Sequence, residues 1–264
     1  IKMMKFSMPI AITTISYWLL SGFTKVVVTN ELGSAENGRF AIANKFSSAL
    51  TIVVTVFQMS WHEMSFSLAD DKNRNRYYER GINLFSIFVF CGLGVLMPIT
   101  KIIFPYMVAE EYISALAIIP ITYIYTTVNA LAGFMSTQLL AEKNSKATFY
   151  STLIAAICNV ILSITLTKQF GIIGANIALL IAFLINMIYV ILLLRNKYNI
   201  NISKYVIIIA TSISIISTLI FYIGNNIFNT IYGILMIIVT FVIFYKLVGK
   251  NLKNAILQKI KATS

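Results

Sequence analysis

The sequence predicts an all-α polytopic membrane protein with eight transmembrane helices, and three observations predict it. Of 264 residues, 58% are hydrophobic and 11% charged, with a mean hydropathy of +0.83. A soluble domain carries roughly a quarter charged residues. The apolar residues, 45 of them isoleucine, come in runs of about twenty, which matches a hydrocarbon core of ~30 Å at 1.5 Å per helical residue. Basic residues collect on one side of those runs. This composition excludes a soluble enzyme, a disordered segment and a nucleic-acid module. The net charge of +12 would suggest nucleic acid in a soluble chain. In this one it is the loop charge that orients a membrane protein, and no nucleic-acid partner is expected.

Backbone groups inside a bilayer must be satisfied within the segment, so each span is read as helix. The first covers 6–29. The second, 39–66, is longer than a bilayer requires and is expected to tilt or protrude. The third, 82–104, contains Cys91 and Pro98. The fourth, 113–139, carries Pro120, Asn129 and Gln138, and Pro98 and Pro120 are the expected kinks. The fifth, 148–167, holds Cys158 and Asn159, and the sixth, 174–194, follows a Gly-containing loop. The seventh and eighth, 203–223 and 227–248, form a hairpin before a basic tail. Sixteen of the 21 Lys and Arg residues fall on the side of the N-terminus, two (Arg39 and Lys168) on the other, and three (Lys25, Lys45 and Lys101) within spans. This asymmetry predicts that both ends are cytoplasmic. The chain opens on Ile1 and enters an apolar run within five residues, as expected of a fragment lacking its beginning.

The loops on the less basic side, 30–38, 105–112, 168–173 and 224–226, are too short to hold a catalytic domain. Of nine carboxylates only Glu63 lies in a span, leaving the loop acids Asp70, Asp71, Glu110 and Glu111 as the remaining candidates for a hydrolase or glycosyltransferase. The two cysteines read as small buried hydrophobes. With His62 the single histidine, a His-based metal cluster is excluded. No cofactor or metal and no enzyme activity are expected. Ionisable groups inside spans mark a pathway by default. Lys101 is expected to snorkel to the interface, Lys45 to face the interior, and Lys25 fits either role. His62 and Glu63 form either a coupling pair or an interfacial one. Asn129, Gln138 and Asn159 are either interhelical glue or pathway lining.

Residues 16–66 carry Trp18, Leu32-Gly33, Gly38, Ala43-Asn44-Lys45 and Ser60-Trp61. In that order they resemble the polysaccharide (O-antigen and capsule) flippases of the multidrug/oligosaccharidyl-lipid/polysaccharide exporter superfamily. Residues 159–183 add Asn159, Phe170-Gly171, Gly174 and Ala175, with Lys168 near the family's usual proline. At the end of the first span the family's Ser-Asp-Arg is replaced by Phe23-Thr24-Lys25, which keeps the positive charge and loses the acid.

The resemblance implies a MATE-like flippase fold, with two six-helix bundles facing each other across a cavity. Residues 1–194 would be the second bundle, 195–264 a C-terminal transmembrane hairpin and basic cytoplasmic tail, and the first bundle would be absent. It implies a transporter that flips an undecaprenyl-diphosphate-linked oligosaccharide across the bacterial cytoplasmic (inner) membrane by alternating access. Its partners would be that lipid-linked oligosaccharide, membrane lipids and the missing N-terminal half. Lys25, Lys45, Asn129, Gln138 and Asn159 are the candidate pathway residues, and Trp18, Gly33, Trp61, Gly171 and Gly174 the family-motif positions. The rivals are a multidrug or cell-wall-precursor exporter of the same superfamily and, in the enzyme class, a membrane polysaccharide polymerase.

Overall fold

A computed structural model describes residues 2–68 and 71–263, with side chains over 12–68 and 71–246. Asp70 and the side chains of Lys2, Lys5 and the tail lysines lie outside the described residues. Every regular element among them is helical: α1 (Lys2–Ser21), α2 (Phe23–Leu32), α3 (Ser34–Ser67), α4 (Arg74–Met107), a 3-10 segment (Glu110–Ile118), α5 (Ile119–Ala141), α6 (Ser145–Tyr198), α7 (Lys204–Ile223) and α8 (Asn226–Thr263). Among the described residues, six helical stretches are long and apolar enough to cross a membrane, counting α6 once.

The sequence places the apolar runs correctly but misjudges where the helices stop. The predicted loop 30–38 shrinks to Gly33, whose φ of 91° is open to glycine and strained for other residues. Polar residues such as Thr29, Asn30, Glu31 and Asn37 stay helical because nothing but Gly33 breaks the backbone there. Consequently α3 has 34 residues and a length of about 51 Å. The predicted loop 105–112 is largely helix, since α4 runs through Pro98 and Pro105 to Met107. Pro120 makes no kink, because it occupies the first turn of α5, where a missing N–H costs nothing.

The predicted loop 168–173 reduces to a reversal at Gly171 (φ 59°, ψ −142°), the only non-helical residue within α6. A straight α6 of 54 residues would put its ends about 80 Å apart. Instead Asn144 Nδ2 donates to the Tyr198 hydroxyl at 3.1 Å, so α6 is a closed hairpin with arms 145–170 and 172–198. Gly174 sits so close to the first arm that a Cβ there would lie 2.0 Å from the Leu166 carbonyl oxygen. Buried Ala155, Ala156, Ala175, Ala178 and Ala182 line the contact between the arms and their neighbours. Small side chains permit the close backbone approach that holds helices together in lipid.

Two cores result. The larger joins α3, α4 and α5 around stacked Phe85 and Phe134, whose ring centroids are 4.0 Å apart, with Trp61 packed on Phe134 at 5.1 Å. The smaller joins α1, α2, α5 and both arms of α6 around Leu20, Val28, Tyr125 and Phe183. The hairpin α7–α8 packs on α4. Lys101 fastens it there: its ammonium donates to the carbonyls of Phe221 and, at 2.7 Å, Gly224 at the C-terminal end of α7. Instead of snorkelling to water as expected, Lys101 caps a helix whose last carbonyls lack partners and carry partial negative charge.

Candidate functional site

One face of the bundle, formed by α1, α3 and α5, is left without a protein partner and is polar. On α3 the residues facing the core are Phe40, Ala43, Ser47, Leu50, Val54, Trp61 and Ser65. Along one edge of its uncovered side run Asn44, Ser48, Thr51, Thr55, Gln58 and His62, at alternating steps of four and three. That spacing follows the 3.6-residue turn, so the six side chains form one continuous stripe. Thr126, Asn129 and Thr137 of α5 face it. Thr126 Oγ1 donates to Ser47 Oγ at 3.2 Å, and Gln58 Nε2 donates to the Ala130 carbonyl at 3.2 Å. Thr137 Oγ1 and His62 Nε2 are paired at 3.3 Å. From α1, the Tyr17 hydroxyl accepts from Asn129 Nδ2 at 2.7 Å. Between these helices lies a cleft of about 190 Å³, floored by Tyr125, Leu179 and Phe183. The buried Tyr125 hydroxyl donates to Asn44 Oδ1, which ties the stripe to α5.

Lys45 and Lys25 are exposed, and neither ammonium has an ion-pair partner among the described residues. Lys45 lies a third of a turn round α3 from the polar stripe. Glu63 lies on the same line of α3 as Lys45 but 18 residues away, five full turns and about 27 Å, so the two cannot pair. His62 and Glu63 are both exposed and belong to different lines of the helix. His62 joins the polar stripe through Thr137, and Glu63 does not. Among the described residues no three His, Cys, Asp or Glu side chains converge on a metal position.

Two sequence-derived pathway candidates lie elsewhere. Gln138 is fully buried. With its amide oriented to satisfy its neighbours, it accepts from Trp61 Nε1 at 2.7 Å and donates to the carbonyls of Met135 and Phe134. Asn159 is also fully buried and donates from Nδ2 to the Leu20 carbonyl and Thr24 Oγ1, both at 2.9 Å. It clamps α6 to the break between α1 and α2. Thr24, the residue standing where the resembled family has its acid, is thereby engaged in a helix–helix bond. The motif positions are structural as well. Trp61 is buried against Gly81, where a Cβ would sit 1.9 Å from the indole ring. Gly33, Gly171 and Gly174 form turns and a close approach. Trp18 is the exception, 59% exposed on the lipid-facing or partner-facing side of α1.

The remaining edge of the α3 face is apolar. Ile52, Val53, Val56, Met64 and Phe88 line an open groove of about 730 Å³ between α3 and α4, with Phe57 and Trp61 at its base. The exposed half of α3 therefore changes from hydrogen-bonding to hydrocarbon across its width, with Lys45 on the line of Ile52 and Val56, two turns before Ile52. The stripe is readable in the sequence from its step pattern, although the motifs and ionisable groups single out only its two ends, Asn44 in the Ala43-Asn44-Lys45 motif and His62.

The sequence profile of the family described as lipid II flippase MurJ matches residues 126–245. No curated protein sequence matches the chain. Among solved structures, the chain is similar to a lipid II flippase MurJ in an inward closed conformation. Identity is 19%, covering 89% of this chain and 53% of that one, with a TM-score of 0.62. It is also similar to a MOP-superfamily transporter from Pyrococcus furiosus, described by the reversed polarity of its binding pocket. There identity is 14%, covering 82% of this chain and 51% of the other, with a TM-score of 0.57. At these identities the likeness is one of fold, and the chain spans about half the length of these structures.

Proposed function

We propose that the chain is the second half of a flippase that carries a polyprenyl-diphosphate-linked cell-wall precursor of the lipid II type from the inner to the outer leaflet. It crosses the bilayer eight times, with both ends cytoplasmic. The passes are α1 with α2, α3, α4, the 3-10 segment with α5, the two arms of α6, α7 and α8. The first six, within residues 1–194, form the bundle, and 195–264 supply the hairpin and basic tail. The observation that carries this reading is the uncovered face of α1, α3 and α5. A neutral hydrogen-bonding stripe beside unpaired lysines and an apolar groove matches a ligand made of sugar, diphosphate and hydrocarbon. The stripe from Asn44 to His62 with Asn129 holds the saccharide, Lys45 and Lys25 meet the diphosphate, and the groove at Val53, Val56 and Phe88 takes the lipid. A facing bundle supplies the other wall, and alternating access comes from rocking of the two. Gln138 and Asn159, fully buried and hydrogen-bonded to Trp61 and to the break between α1 and α2, act as glue. A cationic face also disfavours the multidrug alternative, because cationic drugs need acidic or aromatic walls.

The family profile over 126–245 supports the cell-wall precursor as cargo, while the motifs at 16–66 and 159–183 favour an oligosaccharide repeat unit. The deciding experiment supplies this chain, together with the matching first bundle, to two strains: one depleted of its lipid II flippase, the other lacking its repeat-unit flippase. Growth rescue of the first supports the proposal. Rescue of the second alone transfers the cargo to oligosaccharide repeat units, and rescue of neither at normal membrane levels refutes a flippase. In the rescued strain, Lys45→Ala is expected to lower transport at least tenfold at unchanged protein level, and Lys45→Arg to keep most of it. Normal transport by the Ala variant would remove Lys45 from the pathway.

A further inference from the structure

A second cavity lies on the face of α5 opposite Thr126 and Asn129, away from the polar stripe. It is an apolar crevice of about 170 Å³ between α4, α5, the second arm of α6 and α7, with walls that include Phe90, Leu131, Met135, Ile191 and Val206. Its two hydroxyls are already spent: Ser86 Oγ donates to the Ile82 carbonyl at 2.7 Å, and Thr211 Oγ1 to the Ile207 carbonyl at 2.8 Å. With no polar group left to satisfy, the slot suits hydrocarbon and repels water. It opens to the bilayer at Thr211 and at Ile207, which is half exposed.

The crevice lining reaches Ile202 of the α6–α7 connection, and three elements that meet at that connection carry a cation near it in sequence. On α4, Ser86, Asn83, Glu79 and Arg76 follow one another at steps of three, four and three, along one helix face. Ser86 lines the slot. Asn83 Oδ1 accepts from the Ser203 amide at 3.0 Å, and Glu79 Oε1 from the Asn201 amide at 2.8 Å, which pins the α6–α7 connection over the crevice end. Arg76, at the end of that face, is exposed. Arg195 lies one turn beyond Ile191, and exposed Lys204 sits between Ile202 and Val206 of the lining. Glu79, the acid on this face, is occupied by the Asn201 amide. Tyr205, 79% exposed, stands beside Lys204, where an aromatic side chain anchors to the membrane interface.

We infer that this crevice is a binding site for an anionic phospholipid, with an acyl chain in the slot and the headgroup phosphate among Arg76, Arg195 and Lys204. Apolar depth and clustered cations at the interface are the two features such recognition needs. The site sits behind the proposed transport face and stands whether or not the chain is a flippase.

The test is native mass spectrometry of the purified 264-residue chain with phosphatidylglycerol, with phosphatidylcholine of the same acyl chains, and with inorganic phosphate. One phosphatidylglycerol is expected to bind at least tenfold more tightly than phosphatidylcholine. The triple change R76Q/R195Q/K204Q should bring the two lipids within twofold. An equal loss of charge at Lys72, Lys143 and Lys146 should leave the preference intact. Ala210→Phe, or Thr211→Phe at the lip if the first does not fold, should weaken phosphatidylglycerol at least fivefold by filling the slot. The inference is overturned if the triple variant keeps its preference, if the control set loses it equally, or if both plugs leave binding unchanged. Displacement of the lipid by millimolar phosphate would overturn it too, as an ion site without a lipid.

Discussion

Gly174→Ala puts the most specific strain on this fold. The new Cβ would lie 2.0 Å from the Leu166 carbonyl oxygen and 2.5 Å from its carbon. Ordinary contact begins near 3.4 Å, so the arms of α6 must separate by about 1.4 Å. The obstacle is backbone held in a helix, which cannot rotate away as a side chain can. Overpacking a tight site costs about 1–3 kcal/mol, and a backbone obstacle places this one at the upper end, near 3 kcal/mol, or roughly a 150-fold shift in the folding equilibrium. Gly133→Ala is the internal control. Its Cβ meets only Gln58 Nε2 at 3.7 Å, and alanine is the better helix former by about 1 kcal/mol, so that variant should be neutral or slightly stabilised. Both are measured by equilibrium unfolding in mixed micelles, following helicity by circular dichroism. If Gly174→Ala unfolds within 0.5 kcal/mol of the unaltered chain, the reversal at Gly171 is looser than described and the hairpin geometry of α6 is wrong.

Gly81→Ala drives a Cβ into the buried Trp61 ring and should likewise cost about 2–3 kcal/mol in the same assay. Trp61→Phe removes the donor to Gln138 and leaves a buried amide oxygen unpaired, a loss of about 1–3 kcal/mol that Trp61→Phe combined with Gln138→Leu should partly recover. Lys101→Met removes the ammonium donor to the Phe221 and Gly224 carbonyls, leaving Gly224 only the Asn229 amide at 3.2 Å, and limited proteolysis should then cut the α7–α8 connection faster than in the unaltered chain. For topology, a cysteine at exposed Ala35 is expected to react with a membrane-impermeant thiol reagent in intact cells, and one at Lys72 only after lysis. The opposite pattern would invert the orientation.

The apolar runs were enough to locate the helices, because in lipid a run of that length has no alternative to helix. Helix ends were less legible. Hydropathy records where side chains become polar, whereas helices end where the backbone is diverted, at Gly33 and Gly171. Both glycines were noted as motif positions, but their consequence, loops one residue long, depends on φ values that no composition reveals. The candidate site divided in the same way. Lys45 and Asn129 lie at the uncovered face and Lys25 is exposed on α2, while Gln138 and Asn159 are fully buried. An intramembrane amide has the same hydropathy in either place. Only the neighbours, Trp61 for Gln138 and the broken end of α1 for Asn159, decide between lining and glue.

The distribution of charge across the two sides of the bundle has its own logic. On the side of α4, three ionisable groups are consumed by structure, while Arg76, Arg195 and Lys204 stay exposed. Lys101 caps α7, Glu79 pins the α6–α7 connection, and Arg74 pairs with Glu142 at 3.2 Å. Lys45 of α3 and Lys25 of α2 have no ion-pair partner among the described residues, and Lys45 flanks a stripe of hydrogen-bonding side chains. A cation in a span is costly unless water, a ligand or another chain reaches it. Glu31 shares α2 with Lys25 and Glu36 shares α3 with Lys45, yet neither acid pairs with its lysine. Those acids are instead spent on Lys168 and Arg39. On the proposed function, the partner of the Lys45 ammonium is an anion that comes and goes, so substituting an acid to pair with Lys45 should abolish transport while raising stability.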